Sequence, residues 1–180
     1  MKTALRILVL AIITASISSC EKIRSIFDIE IDTTIEGDLY FQTEEDELKS
    51  TEDYGFDATI TVQVLNDEIY EYDENIKDFM TSDITIEVLS VDSSDVILRS
   101  GSQFTIENMN AGYTWTLTTD WPIEAGFSLT LDAASYDAID DILKDKVAFT
   151  MSTSGSCNKG GVNIGLRYGI ETTVVTTPLE

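Results

Sequence analysis

The chain has 180 residues, with 33 acidic side chains against 11 Lys and Arg, no histidine and 43% hydrophobic residues. A net charge of −22 repels nucleic-acid phosphates, and a chain without histidine cannot form Ser-His or Cys-His catalytic pairs or imidazole metal sites. The length suits one domain and the apolar content is sufficient for a hydrophobic core, so most of the chain is predicted to fold.

The beginning of the chain has the pattern of an export signal. Lys2 and Arg6 form a positive N-terminal region, and Ile7 to Ile13 is an unbroken apolar run followed by small and hydroxyl residues. The run is shorter than a membrane span, which needs about 20 apolar residues. An ordinary signal peptide or a marginal anchor helix is the alternative interpretation of this segment.

Ile17-Ser18-Ser19-Cys20 resembles the lipobox of bacterial lipoproteins, in which an aliphatic residue and two small residues precede the lipid-bearing cysteine. The resemblance implies that residues 1–19 are a removed signal peptide and that Cys20 becomes the acylated N-terminus. In that family an aspartate directly after the cysteine favours retention in the inner membrane. Because Glu21 stands at this position, the resemblance implies the outer membrane, with the domain facing either the periplasm or the cell surface.

Residues 20–25 are then the lipidated N-terminus and a short tether, and residues 26–180 are one domain. A tether of five residues spans roughly 17 Å when fully extended, so the domain is expected close to its membrane. Removal of residues 1–19 leaves nine cations against 33 acids, a net side-chain charge of −24.

Hydrophobic residues in the body recur mostly at every second position. Residues 54–64 place Tyr, Phe, Ala, Ile and Val on one face and Asp, Thr and Gln on the other, which predicts a half-buried strand. The same period predicts about eight strands, in the segments Phe27–Ile31, 54–64, Ile84–Val88, Phe104–Ile106, Tyr113–Leu117, Phe127–Leu131, Val147–Met151 and Val162–Ile170.

Three stretches depart from this period. Apolar residues recur at three- and four-residue steps from Ile69 to Met80 and from Tyr136 to Leu143, which predicts two short helices with Asp and Glu on their outer sides. Residues 43–53 contain six acids and are predicted to form an exposed loop. The predicted fold class is therefore all-β: an antiparallel β-sandwich, immunoglobulin-like in general layout, with two short helices in connections. This layout resembles the small β-sandwich lipoproteins of Gram-negative bacteria.

Carboxylates are the most abundant candidates for chemistry. They could act as general acid and base in a hydrolase, but those in residues 44–47, 67–68 and 73–74 fall in a polar loop and on a wet helix face. Calcium would suit oxygen ligands from loops 43–53 and 66–75, although the sequence has no D-x-[DN]-x-[DN]-G motif. No metal site and no cofactor are predicted.

Two aromatic residues are candidates for partner binding. Tyr113 and Trp115 share the parity of a strand core, whereas Trp121 stands beside Pro122 at a strand end and Tyr70 is one position off its predicted helix stripe. Packing at the core or its edge is the alternative role for both candidates.

A lone cysteine and a glycine-rich stretch have structural interpretations. Cys157 has no partner in the chain if Cys20 is lipidated, so it is expected to be a small buried side chain or a turn residue. Residues 154–161 lack the order of a phosphate loop and are predicted to form a hairpin turn.

These observations favour a lipid-anchored envelope protein that is not an enzyme. Its domain is expected to act as a binding or structural accessory module for a protein or glycan partner. A carboxylate-based hydrolase and a calcium-stabilised adhesion module are the alternatives.

Overall fold

The computed structural model describes residues 28–45, 53–132 and 136–178, which form ten strands and two short helices. The strands are β1 (Ile29–Gln42), β2 (Tyr54–Val62), β3 (Ile76–Val91), β4 (Val96–Leu98), β5 (Gln103–Glu107), β6 (Gly112–Thr116), β7 (Trp121–Ile123), β8 (Ser128–Thr130), β9 (Phe149–Cys157) and β10 (Asn163–Thr176). A 3₁₀ helix covers Tyr70–Asn75, and helix α1 covers Asp137–Lys144. The signal-like segment, Cys20, residues 26–27 and residues 46–52 lie outside the described residues.

The strands pair in a nested order, as if one long hairpin had been folded over itself. β1 pairs with β10, β2 with β9, β3 with β8, β4 with β7 and β5 with β6, all antiparallel. Three further pairings, β10 with β3, β9 with β5 and β9 with β4, join these pairs into two sheets. Sheet A has the order β1-β10-β3-β8, and sheet B contains β2-β9-β5-β6 with the short β4 and β7 attached beside β9.

This strand order is that of a jelly roll, in which two antiparallel sheets pack face to face. The predicted all-β class and antiparallel sandwich are confirmed. The immunoglobulin-like layout holds at the level of two packed antiparallel sheets, while the pairing of the first strand with the last belongs to the jelly roll.

Each of the eight predicted strand segments overlaps a strand, but the predicted alternation matches burial only in part. Ile29, Phe127 and Val147 were placed on buried faces and are 37%, 45% and 54% exposed, because each lies at or just before the first residue of its strand. In β2, Phe56 and Val62 are buried while Asp57, Thr59 and Thr61 are exposed. β1 and β10 continue well beyond their predicted segments and pair over fourteen residues, from Ile29 opposite Thr176 to Gln42 opposite Asn163. The three-residue strands β4 and β7 were not predicted, because so few residues show no alternation.

The predicted helix from Ile69 to Met80 is wrong in its second half. The 3₁₀ helix ends at Asn75, and β3 begins at Ile76. Two β-bulges, at Lys77 and Ser82, each add one residue to β3 opposite β10. The bulges change the spacing of the core-facing positions, which imitates the three-residue step of a helix. Met80 therefore lies on the outer face of sheet A and is 45% exposed.

The second predicted helix is confirmed as α1. Ile139, Ile142 and Leu143 are buried, and the helix packs beside β3. Asp140 was predicted on the outer side, but its Oδ1 accepts a hydrogen bond of 2.8 Å from the backbone N–H of Thr81 on β3.

The predicted hairpin at residues 154–161 is also wrong. The turn after Cys157 joins β9 of sheet B to β10 of sheet A, so its flanking strands lie in different sheets and do not pair with each other. Local turn residues mark where the chain reverses but do not determine which sheet it enters.

The core lies between the two sheets. Tyr168 of β10 is fully buried, and its hydroxyl donates a 2.6 Å hydrogen bond across the core to the Ser152 carbonyl of β9. Cys157 is a fully buried free thiol whose pKa is raised by burial, which agrees with its expected role as a small buried side chain. Within the described parts of the chain, neither helix has the length and apolar content needed to cross a membrane.

Candidate functional site

The sandwich has two ends with different connections. The start of β1 lies beside Thr176 and Ile76, at the same end as the β2–β3 connection, the β5–β6 turn and the β8–β9 connection. We call this the tether end because the chain enters the domain here. The β1–β2, β3–β4, β6–β7 and β9–β10 connections form the distal end.

The two predicted binding aromatics lie at opposite ends of the domain. Tyr70 opens the 3₁₀ helix at the tether end and is 70% exposed. Trp121 stands in β7 opposite Leu98 near the distal end. Its ring makes an edge contact with Phe104 at 6.2 Å and is half-buried against the core. The structure therefore does not bring these residues together into one platform.

Tyr113 and Trp115 take the core positions predicted from their parity. Trp115 is 8% exposed, and its ring centroid lies 4.5 Å from that of Tyr113. The Trp115 Nε1–H donates to the carbonyl of Asp132 at 3.2 Å, which satisfies its polar atom inside the fold.

A groove with a volume of about 780 Å³ runs along β1 and crosses β10 to β3. We call it the acidic groove, because five carboxylates line it and its remaining side chains are hydroxyls and one amide. Its lining residues are Asp32, Thr33, Thr34, Glu36, Asn66, Asp67, Glu68, Ser82, Glu171, Thr172 and Thr173.

The β2–β3 connection is fixed against β1 by hydrogen bonds inside the acidic groove. Thr33 Oγ1 donates to Glu68 Oε2 at 2.5 Å and accepts from Asn66 Nδ2 at 2.8 Å. The Asn66 Oδ1 in turn accepts from the backbone N–H of Glu68 at 3.0 Å. On the other side, Thr173 Oγ1 donates to Asp32 Oδ1 at 2.7 Å. The groove walls are thus held in place by contacts between sequence-distant residues.

Among the residues that the structure describes, no Lys or Arg lines the acidic groove. Arg167 lies just beyond it and is already engaged, since its Nε and Nη2 donate to the two oxygens of Asp38 at 2.7 and 3.0 Å. Glu36, which does line the groove, lies 3.7 Å from the same guanidinium. This hydrogen bonding by Arg167 lowers the pKa of Asp38. The described groove lining therefore carries charge of one sign, and the guanidinium of Arg167 beside it is bound to Asp38.

The spacing and the pKa values of the carboxylates can be compared with what a calcium site and a carboxylate-based hydrolase would need. Among the described residues, no three acidic or thiol side chains converge closely enough to hold one metal ion. The Asp residues with clearly shifted pKa values, Asp38, Asp92 and Asp120, are all shifted downward by hydrogen bonds. A general acid in a hydrolase needs the opposite shift.

The outer face of sheet B has a different character. One row across it consists of Thr59, Ser152, Thr105 and Thr114, which oppose one another in register. Hydroxyl side chains dominate this face, whereas carboxylates dominate the acidic groove.

The sequence pattern did not predict a further depression on the surface of the domain. It has a volume of about 360 Å³ and lies on sheet A toward the distal end, lined by Tyr40, Phe41, Gln42, Ser90, Asn163 and Ile164. Tyr40 shares its parity with Asp38 and Glu36, so alternation along β1 could have predicted an outward ring. No strand was predicted there.

Comparisons with known proteins give a fold likeness only. No family model and no curated protein matches the chain. Solved structures with some similarity include a decameric BFDV capsid protein, with 13% identity, a TM-score of 0.47, and coverage of 81% of this chain and 99% of that one. A 60-mer BFDV capsid protein has 9% identity, a TM-score of 0.41, and coverage of 86% and 97%. Desmodium yellow mottle tymovirus has 7% identity, a TM-score of 0.33, and coverage of 84% and 85%. At these values the likeness transfers no function to this chain.

Proposed function

We propose that this chain is a lipid-anchored lipoprotein of the bacterial outer membrane and that its jelly-roll domain is a non-catalytic binding module. Its partner is a protein segment rich in Lys and Arg, which the acidic groove receives. The observation that carries this proposal is the groove lining, which is concave and has five carboxylates and no cation within the described part of the chain.

Charge complementarity favours an extended basic segment over a single ion. Because no three of the described carboxylates converge on one point, a metal ion would meet too few ligands in the groove. A chain with several Lys or Arg residues can meet carboxylates on β1, on β10 and on residues 67–68 together. The overall charge of −22 would also steer such a partner toward the domain and accelerate association.

The location rests on the lipobox-like residues. Only seven residues separate Cys20 from Asp28, the first described residue, so the tether end would face the membrane closely. Two or more acyl chains hold a protein at a bilayer far more firmly than one, because each buried CH₂ contributes about 0.8 kcal/mol.

The anchor is tested by changing Cys20 to Ser and labelling cells with a fatty-acid analogue. We expect the wild-type protein to carry label and to sediment with the outer membrane, and the Cys20→Ser variant to be unlabelled and leave the membrane fraction. Label that persists in the variant would contradict the anchor.

The partner is tested by placing a photo-crosslinking residue, p-benzoylphenylalanine, at Thr34 in the groove and separately at Thr59 on the outer face of sheet B. We expect irradiated cells to yield a protein adduct from position 34 and not from position 59. The adduct should disappear when Asp32→Asn, Glu36→Gln and Glu171→Gln are combined, since the groove then loses three charges.

A charge-matched control removes three exposed acids elsewhere, Asp57→Asn, Glu107→Gln and Asp141→Asn. This control should retain the adduct at position 34. An adduct that survives the groove variant, or that both triple variants weaken equally, would show that the groove is not the recognition site.

A further inference from the structure

Tyr40 is an exposed aromatic ring on an otherwise polar sheet face. It projects from the outer face of β1 and is 65% exposed. The residues that alternate with it along this face of β1 are mostly acidic or polar, including Glu36, Asp38 and Gln42. A ring at such a position keeps most of its surface in water and is available for contact with a ligand.

The ring is held against the backbone of the neighbouring strand. Tyr40 is paired with Gly165 of β10, and a Cβ at Gly165 would lie 2.6 Å from Tyr40 Cε1 and 2.9 Å from Cδ1. Glycine is therefore required at this position for the ring to lie over β10. Contact on one side orders the ring and leaves the rest of its surface open to solvent, which lowers the entropic cost of ligand stacking.

Hydrogen-bonding side chains surround the ring. The depression beside it is lined by Gln42, Ser90 and Asn163 in addition to Tyr40. Asn163 is oriented by Asp92, whose carboxylate accepts from the Asn163 Nδ2 at 2.6 Å and from its backbone N–H at 3.0 Å. These hydrogen bonds lower the pKa of Asp92, so the carboxylate is charged at neutral pH and holds the amide in place.

This depression faces away from the tether. Tyr40 lies eleven positions after Ile29 along β1, a rise of roughly 35 Å for an extended strand. The depression therefore lies toward the distal end of the sandwich, where a large ligand can approach without meeting the surface to which the tether leads.

We propose that the Tyr40 depression is a binding site for a neutral sugar ring within a glycan. The apolar C–H face of a pyranose stacks on the exposed tyrosine ring, and the sugar hydroxyls exchange hydrogen bonds with Gln42, Ser90 and Asn163. The cavity of about 360 Å³ is within the usual range for a small-ligand site. A neutral glycan is favoured over an acidic one because the surrounding domain is strongly negative. This inference goes beyond the proposed protein partner and does not depend on it.

The test uses the full-length protein in a zwitterionic detergent without sugar groups. Calorimetric titration and saturation-transfer NMR are measured with four neutral oligosaccharides: cellotetraose, laminaritetraose, mannotetraose and xylotetraose. We expect at least one of them to bind, with saturation transferred to the sugar C–H protons of one face.

Three variants separate recognition from structure. Tyr40→Ala should weaken binding by about tenfold or more, as expected for loss of an aromatic stack. Tyr40→Leu still covers Gly165 and should keep the melting temperature while losing affinity to a similar extent. Tyr40→Phe retains the ring and should bind within about threefold of wild type.

Two controls make the outcome decisive. Tyr70→Ala removes an equally exposed tyrosine at the other end and should leave sugar binding unchanged. The triple variant of the acidic groove should also leave it unchanged, which separates this site from the proposed protein partner. The proposal is overturned if wild type binds none of the four oligosaccharides, or if Tyr40→Leu binds as well as wild type.

Discussion

The hydroxyl of Tyr168 forms a hydrogen bond that connects sheet A to sheet B. The ring is fully buried, and the hydroxyl donates to the Ser152 carbonyl at 2.6 Å. A buried hydrogen bond contributes about 1 kcal/mol net, and the cost rises when its removal leaves the partner unsatisfied. We therefore expect Tyr168→Phe to lower the free energy of unfolding by about 1–2 kcal/mol in urea denaturation.

Tyr40→Phe is the matched control, because its ring is 65% exposed. It should change the free energy of unfolding by less than about 0.5 kcal/mol. Equal losses in the two variants would argue against a specific role for the bond between the sheets.

The same residue predicts a pH dependence. Burial raises the pKa of Tyr168 above its ordinary value of 10.0, so the folded state retains a proton that the unfolded chain loses first. The contribution to stability is complete below pH 10 and is lost as the pH rises above it. Unfolding measured between pH 9 and pH 12 should therefore show a steeper loss of stability in wild type than in Tyr168→Phe. Parallel curves for the two proteins would contradict this assignment.

At the scale of the elements, β9 changes partner along its length, and Gly155 stands where it does so. β9 pairs with β5 up to Ser154 opposite Gln103 and meets β4 at Cys157 opposite Leu98. Between these contacts Ser102 lies against the β9 backbone, and a Cβ at Gly155 would be 2.2 Å from its Oγ and 2.8 Å from its Cα. The change of partner therefore requires a residue without a side chain.

Gly155→Ala is expected to destabilise the domain by about 2 kcal/mol or more, since the backbone of Ser102 must move to admit a methyl group. The comparison is Gly169→Ala on β10, where the nearest atom to an added Cβ is Thr85 Oγ1 at 3.1 Å. That substitution should change the free energy of unfolding by less than about 1 kcal/mol. Thermal and urea unfolding of both variants decide the matter, and similar costs at the two positions would contradict the steric explanation.

For the whole molecule, charge is the dominant feature. A net side-chain charge of −24 after loss of residues 1–19 destabilises the folded state through self-repulsion, which salt screens over about 10 Å at 0.1 M. Because no metal-binding group of acids occurs among the described residues, we expect NaCl and CaCl₂ at equal ionic strength to raise the melting temperature of residues 21–180 similarly. A calcium-specific rise that saturates at low concentration and disappears with a chelator would instead favour the calcium-stabilised adhesion module.

Local sequence pattern was sufficient to predict the class of the fold and the position of most strands. Alternation along residues 54–64 predicts β2 because one face of a sheet in a sandwich is dry and the other wet. The same alternation identified the core positions of Tyr113 and Trp115, and the three- and four-residue steps of a helix identified the buried face of α1. The prediction failed between Ile76 and Met80, where a bulge at Lys77 shifts the parity of β3, because a bulge depends on the partner strand.

Contacts between residues of different strands follow from the tertiary structure and could not be predicted from local sequence. Tyr40 and Gly165 are 125 positions apart and touch because β1 pairs with β10, a contact that no local pattern contains. The acidic groove likewise combines β1, β3, β10 and residues 66–68, and Trp121 is half-buried because its ring packs against Phe104 of another strand. Period and composition report whether a residue faces water, because that depends on its own strand. Which side chains then form one site depends on strand order and register, and those are properties of the whole chain.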